Sequence, residues 1–209
     1  MKQTLITLVA LTALQASASG LESLDTFVST VKSGHAEFTQ VVTLPAKDGQ
    51  TAHHKTSSGE FDFSRPNKFK FSYKKPFEQL IVADGRRVWM YDTDMNQVSS
   101  RKQSDVYAAS PVALIASSSN MKAIEADFDL SPAPASQGIE WVVATPKSKD
   151  GMLQSIRIGF KDTHLEKIEI LDGFGQRSLM TITAMQINPA MPSNIFQFKP
   201  PAGADVIQQ

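Results

Sequence analysis

The side chains able to do chemistry are few and dispersed. The chain holds four histidines, His35, His53, His54 and His164, and no cysteine. Thiol catalysis, thiolate metal sites and disulfides are therefore excluded, as is an acyl anchor on a cysteine of this chain. His53 and His54 are adjacent, but successive side chains of an extended segment point apart and no third ligand stands nearby. An exposed hairpin loop across residues 43–57 is the better reading than a metal site. The sequence has no Gly-x-Ser-x-Gly elbow, no phosphate-binding Gly-Lys loop and no His-Glu-x-x-His. No pair of carboxylates stands at a recognisable catalytic spacing, and Gly173-Phe174-Gly175 falls between strands, where it is a turn. No catalytic residue, metal or cofactor is expected, and the chain does not read as an enzyme.

The informative residues are apolar. Over residues 59–73, Phe61 and Phe63, then Phe69, Phe71 and Tyr73, share one phase, while Glu60, Asp62, Lys68 and Lys70 take the other. That period of two marks half-buried antiparallel strands. Ser64-Arg65-Pro66-Asn67 between them is a turn, since Pro fixes φ and Asn tolerates turn geometry. Arg65 keeps the phase of Phe61 and Phe63, which aims its guanidinium toward the apolar side. Five aromatics on one face of one hairpin serve either as an ordinary core under a helix or as the wall of a cavity for something greasy. The candidate cavity residues are Phe38, Phe61, Phe63, Phe69, Phe71, Tyr73, Trp89, Ile156 and Ile158.

Elements before and after must position that wall. Lys2, the apolar run Leu5 to Leu14 and Ala16-Ser17-Ala18 describe a secretory signal peptide over residues 1–18, too short to span a bilayer. The expectation is an exported, periplasmic protein with one domain over 19–209. Removing Lys2 leaves 20 basic and 21 acidic residues, a formal net charge of −1. Nucleic acid needs a basic surface and is not an expected partner. Roughly 190 residues suffice to bury a core and still enclose a cavity.

Leu21, Leu24, Val28 and Val31 recur at helical spacing, with Gly34 as a C-terminal stop, predicting an amphipathic helix that plugs one side of a sheet. A meander of short strands follows: Phe38–Val42, the aromatic hairpin, 80–83, 87–91 and 97–101, with Asp84-Gly85 as a hairpin turn. Ser110-Pro111 then caps a short helix, Pro111, Val112, Leu114 and Ile115 among its residues, apolar nearly all round and placed over the concave side. Further strands are expected at 124–130, 139–145, 153–160, 165–171, 176–187 and 194–198, with a turn at Pro132-Ala133-Pro134. The fold class is mainly β, and this helix is either a buried connection or a movable lid. Ten or eleven antiparallel strands in one domain form a strongly curved sheet or a barrel, because flat sheets of that size coil or close.

The ordered set Gly59, Phe63, Arg65-Pro66, Phe69, Tyr73, Pro76, Asp84-Gly85, Trp89, Tyr91-Asp92, Gln97-Val98, Pro111, Leu114, Pro146, Gly151, Leu153, Gln176, Phe198, Pro200-Pro201, Gly203 and Asp205-Val206 resembles the periplasmic outer-membrane lipoprotein carrier proteins, the LolA family. The likeness runs through the mature chain in order. It implies an incomplete barrel whose helical lid closes an apolar cavity for acylated lipoproteins. Those would come from an inner-membrane ABC-type, ATP-driven transporter and pass to an outer-membrane receptor, with the carrier working as a monomer. It also implies that Arg65 latches the lid by hydrogen bonds to lid backbone. An inward arginine needs acceptors, and carbonyls at the end of a short helix suit it. Val112-Ala113 departs from the bulkier residues that relatives often place after the helix-starting proline. The competing expectation is a periplasmic lipid or glycolipid binder, or a lipid sensor, of the same half-barrel type.

Overall fold

The computed structural model describes residues 19–46, 51–103, 118, 120–149, 151–192 and 194–208. The predicted lid helix, with Pro111, Val112, Leu114 and Ile115, lies outside them, as do residues 1–18.

Helix α1 (Gly20–Thr30) starts in a capping box. Ser19 Oγ accepts from the Glu22 N–H at 3.3 Å, and the Glu22 carboxylate accepts from the Ser19 N–H at 2.8 Å. Leu24, Phe27 and Val28 form its buried stripe. Gly20 lets it lie close to the sheet, because a Cβ there would stand 2.7 Å from the Trp141 carbonyl oxygen. The helix ends at its C-cap Val31, before the expected stop. Gly34 instead belongs to a strand, where a Cβ would stand 2.3 Å from a ring carbon of Phe63.

The strands are β1 (Ser33–Leu44), β2 (His53–Ser64), β3 (Lys68–Lys75), β4 (Gln79–Asp84), β5 (Arg87–Asp92), β6 (Gln97–Lys102), β7 (Phe128–Ser136), β8 (Ile139–Pro146), β9 (Leu153–Lys161), β10 (His164–Asp172), β11 (Arg177–Ile187) and β12 (Asp205–Gln208). They form one sheet in the order β12-β6-β5-β4-β3-β2-β1-β11-β10-β9-β8-β7. β1 at the centre joins the two halves by pairing with both β2 and β11. The ends β12 and β7 do not meet, so the curved sheet stays open.

Several boundaries differ from expectation. Residues 53–57 are strand rather than loop, because β1 and β2 stay paired out to Leu44 and His53. Their polar composition reflects an exposed strand margin: β3 pairs no further than Ser58, so residues 53–57 pair with β1 alone. The stretch 124–130 opens with a short helix, α2 (Met121–Glu125), capped by Asn120, whose side chain accepts from the Ala123 N–H at 3.0 Å. Strand begins only at Phe128. Pro132-Ala133-Pro134 lies within the edge strand β7, a position prolines tolerate because one side of the ladder is open. Residues 194–196 form a turn, and the last strand is β12, which runs parallel to β6 and makes the sheet not wholly antiparallel.

Register sorts the side chains. Ala36 faces Phe61, Phe61 faces Phe71 and Phe71 faces Ile81, which puts them on one face. Phe38, Ile182, Met180, Ile168, Ile158 and Ile156 continue that face across β1, β11, β10 and β9. Helix α1 covers its β7–β10 half, burying Leu24, Phe27 and Val28 with Ile158, Phe160 and Leu165.

Candidate functional site

The β2–β3 turn brings Arg65 to the end of α1. Its backbone N–H donates to the Lys32 carbonyl at 2.8 Å, and its Nη1 donates to the carbonyl of Val31, the C-cap. The guanidinium lies over two rings, 5.2 Å from the centroid of Phe27 and 5.1 Å from that of Phe63. A planar cation stacked on faces while donating in its plane uses geometry that lysine lacks. Burial pulls its pKa down to about 10, which leaves it charged at neutral pH. The inward phase read from the sequence is what the structure has. The acceptor found at a helix end belongs to α1, whereas the expected lid backbone lies outside the described residues.

The wall beneath is a continuous aromatic array. Phe61 and Phe71 stack with centroids 4.5 Å apart, Phe38 meets Phe71 edge-on at 5.5 Å and Tyr73 at 5.1 Å, and Phe69 lies 6.2 Å from Phe71. Phe27 on α1 links the halves, 6.3 Å from Phe63 and 5.9 Å from Phe160. Phe38, Phe61, Phe63, Phe69 and Phe71 are all at most 4% exposed. Ile156 and Ile158 share the face and are fully buried. Any apolar guest must displace what already packs there.

Trp89 does not join them. It pairs across from Val82, itself opposite Lys70, on the outer face of the sheet. There its ring lies 5.7 Å from Phe198, and the C-terminal segment covers it. Alternation divides β5 into two faces without saying which is inner; register puts Trp89 on the outer one, not in the cavity expected from sequence.

Toward the β1–β2 loop the same concave face turns polar. Tyr73 Oη donates to Gln40 Oε1 at 3.0 Å, and Gln40 Nε2 donates to Ser178 Oγ at 2.7 Å, a run that spans β3, β1 and β11. Burial pushes the Tyr73 hydroxyl pKa up. Beyond the run an open cleft of ≈ 790 Å³ is lined by Gln40, Ser57, Tyr73, Phe77, Gln79 and Met95, among others.

Gln103, just before the undescribed stretch, is 2% exposed. Its Nε2 donates to the Asn67 carbonyl at 2.6 Å and its Oε1 accepts from the Gly85 N–H at 2.9 Å, tying two turns together. Sequence reasoning missed it, since nothing in Arg101-Lys102-Gln103-Ser104 sets one polar residue apart. Phe27 was legible as part of the helical stripe with Leu24 and Val28, yet was not singled out. Among the described residues no three His, Asp or Glu side chains gather to hold a metal, and His54 instead lies 3.0 Å from Thr43 Oγ1.

Fold and site define a class: an open β half-barrel whose inner face is aromatic on one half and covered by a helix on the other. Residues 29–199 match the family model described as outer membrane lipoprotein carrier protein LolA, and the chain belongs to that family. A protein of Albidiferax ferrireducens named outer-membrane lipoprotein carrier protein is 59% identical over 198 residues, 93% of each chain. One of the same name from Methylibium petroleiphilum is 46% identical over 194 residues, 93% of this chain and 92% of that one. Among solved structures, an uncharacterized conserved protein from Thermus thermophilus covers 90% of this chain and 96% of its own at a TM-score of 0.53 and 12% identity, a likeness of fold.

Proposed function

We propose that this protein is a periplasmic carrier that holds the acyl chains of lipoproteins against its concave wall. The observation that carries the reading is that wall, Phe38, Phe61, Phe63, Phe69 and Phe71 on one curved face, in a member of a family named for lipoprotein carriage. Residues 1–18 act as the export signal and 19–209 as the single working domain. The chain receives cargo from an inner-membrane ABC-type transporter, delivers it to an outer-membrane receptor, and catalyses no covalent step.

Magnitudes favour exchange over release into water. Three acyl chains of ordinary length carry roughly 45 methylenes, near 36 kcal/mol against water at about 0.8 kcal/mol each. Non-covalent affinity saturates near 20 kcal/mol. Cargo therefore moves from one apolar environment to another, and the difference between them sets direction. A wall already buried in the empty protein raises the cost of loading and eases unloading. Arg65 serves as the latch of that closed state, with Pro111, Val112, Leu114 and Ile115 as the lid it restrains.

The test is to isolate the mature protein from periplasm without detergent and identify what co-purifies by mass spectrometry. Triacylated lipoproteins are the expected cargo. Free lipids or glycolipids without protein would overturn the carrier reading in favour of a lipid binder.

A further inference from the structure

The concave face between β1 and β4 changes character at one cross-strand row. On the Arg65 side it is hydrocarbon: Ala36, Phe61, Phe63, Phe69 and Phe71. On the other side it presents Gln40 and Ser57 to the ≈ 790 Å³ cleft. The row between them is Phe38, Gly59, Tyr73 and Gln79. Gly59 offers no side chain there, so the Tyr73 ring reaches within 5.1 Å of Phe38 and its hydroxyl reaches Gln40.

The hydrogen-bond run at this boundary is not saturated. A primary amide has two N–H groups, and Gln40 uses one on Ser178; the Ser178 oxygen accepts that bond and keeps its own O–H. Among the described residues neither the second Gln40 N–H nor the Ser178 O–H has an acceptor. The boundary thus offers donors, where a hydrocarbon wall stops, at the edge of a space open to solvent.

We propose that the ester and amide carbonyls of an acylated N-terminal residue accept from the second Gln40 N–H and the Ser178 O–H, beside Tyr73, with the hydrocarbon tails pointing toward Arg65 and the polypeptide leaving through the cleft past Phe77 and Met95. The proposal rests on the carrier reading and adds an orientation to it. Carbonyls are acceptors and the run supplies donors; tails need the apolar side; a folded cargo must remain outside, and the cleft is the open side. Phe77 and Met95, 70% and 66% exposed, form an apolar lip there for the emerging chain.

The probe is a synthetic tripalmitoyl-S-glyceryl-cysteinyl peptide, made once with a benzophenone on the second residue and once with a diazirine at the tail ends. Loaded protein is irradiated and the cross-links mapped. The expected result is benzophenone on residues 77–79 and Met95, and diazirine on Phe63 and Phe69. The reverse pattern on a retained probe overturns the orientation and leaves the carrier reading standing. A probe that is not retained at all removes both. Gln40→Leu is expected to weaken the tripalmitoyl peptide about fivefold, the scale of one lost hydrogen bond, while a carbonyl-free apolar dye binds unchanged. Equal weakening of both would mean that Gln40 merely supports the sheet.

Discussion

Arg65 and Val31, 34 residues apart, are joined by a hydrogen bond from the guanidinium to the C-cap carbonyl of α1. The bond ties the tip of the aromatic hairpin to the helix that fills the sheet. Removing it is the most direct way to ask whether the empty protein is held shut. With Arg65→Leu, cargo is expected to load but to leave for the receptor several-fold more slowly, followed as transfer of a labelled lipoprotein. Unchanged transfer would refute the latch. Arg65→Lys is expected to restore little, because an ammonium cannot stack between Phe27 and Phe63 and donate in plane at once.

Gln103→Ala removes the partner of both the Asn67 carbonyl and the Gly85 N–H. Leaving two such groups unpaired in a buried place costs on the order of 2 kcal/mol or more. Urea unfolding should show a lowered midpoint at unchanged slope. A midpoint within error of the wild type would mean that water replaces the side chain.

Phe71→Ala, which takes a ring from the centre of the array, is expected to lose about 3–5 kcal/mol. Phe77→Ser, on the exposed lip, should stay within about 0.5 kcal/mol. Parallel denaturation curves separate the two, and similar losses would contradict the assignment of wall and lip.

Gly59→Ala places a Cβ 2.1 Å from the Ser72 carbonyl oxygen, a backbone atom that cannot turn aside. Destabilisation of about 1–3 kcal/mol or more is expected. A variant as stable as the parent would show that the bulge at Ser58 and Gly59 shifts freely.

Asp84 predicts a pH effect. Burial raises its carboxyl, but the N–H donors of Arg87 and Arg86 and the Trp89 indole outweigh that, so it titrates below the ordinary carboxylate range. Because the folded pKa is the lower one, the stabilisation is present above the unfolded value and fades as pH falls through the folded one. The stability difference between wild type and Asp84→Ala should therefore shrink below about pH 4. A constant gap down to pH 2 would rule out the ionised form as its source.

What the sequence disclosed follows from periodicity. Alternation at Phe61, Phe63, Phe69 and Phe71 identified the hairpin, its inner face and the phase of Arg65, since a side-chain period of two is local. Trp89 was misplaced because its face depends on register with Val82, a tertiary fact. Gly34 resembled a helix stop because glycine favours that role; here it clears space for Phe63. Residues 53–57 resembled a loop because a strand margin that is exposed on both faces carries no apolar alternation. The short helix before β7 hides in a stretch whose apolar residues suit either period. The turn at Arg65 was readable, while the carbonyl it would find at the end of α1 was not.

Pro132 and Pro134 sit in β7 at one margin of the sheet, and β12 at the other is four residues long. Proline offers no N–H, and a strand so short gives a visitor little to zip onto. Two copies meeting in a crowded compartment therefore have poor means of merging their open sheets into one shared trough. Margins of this kind leave each concave wall to its own chain, however densely copies crowd.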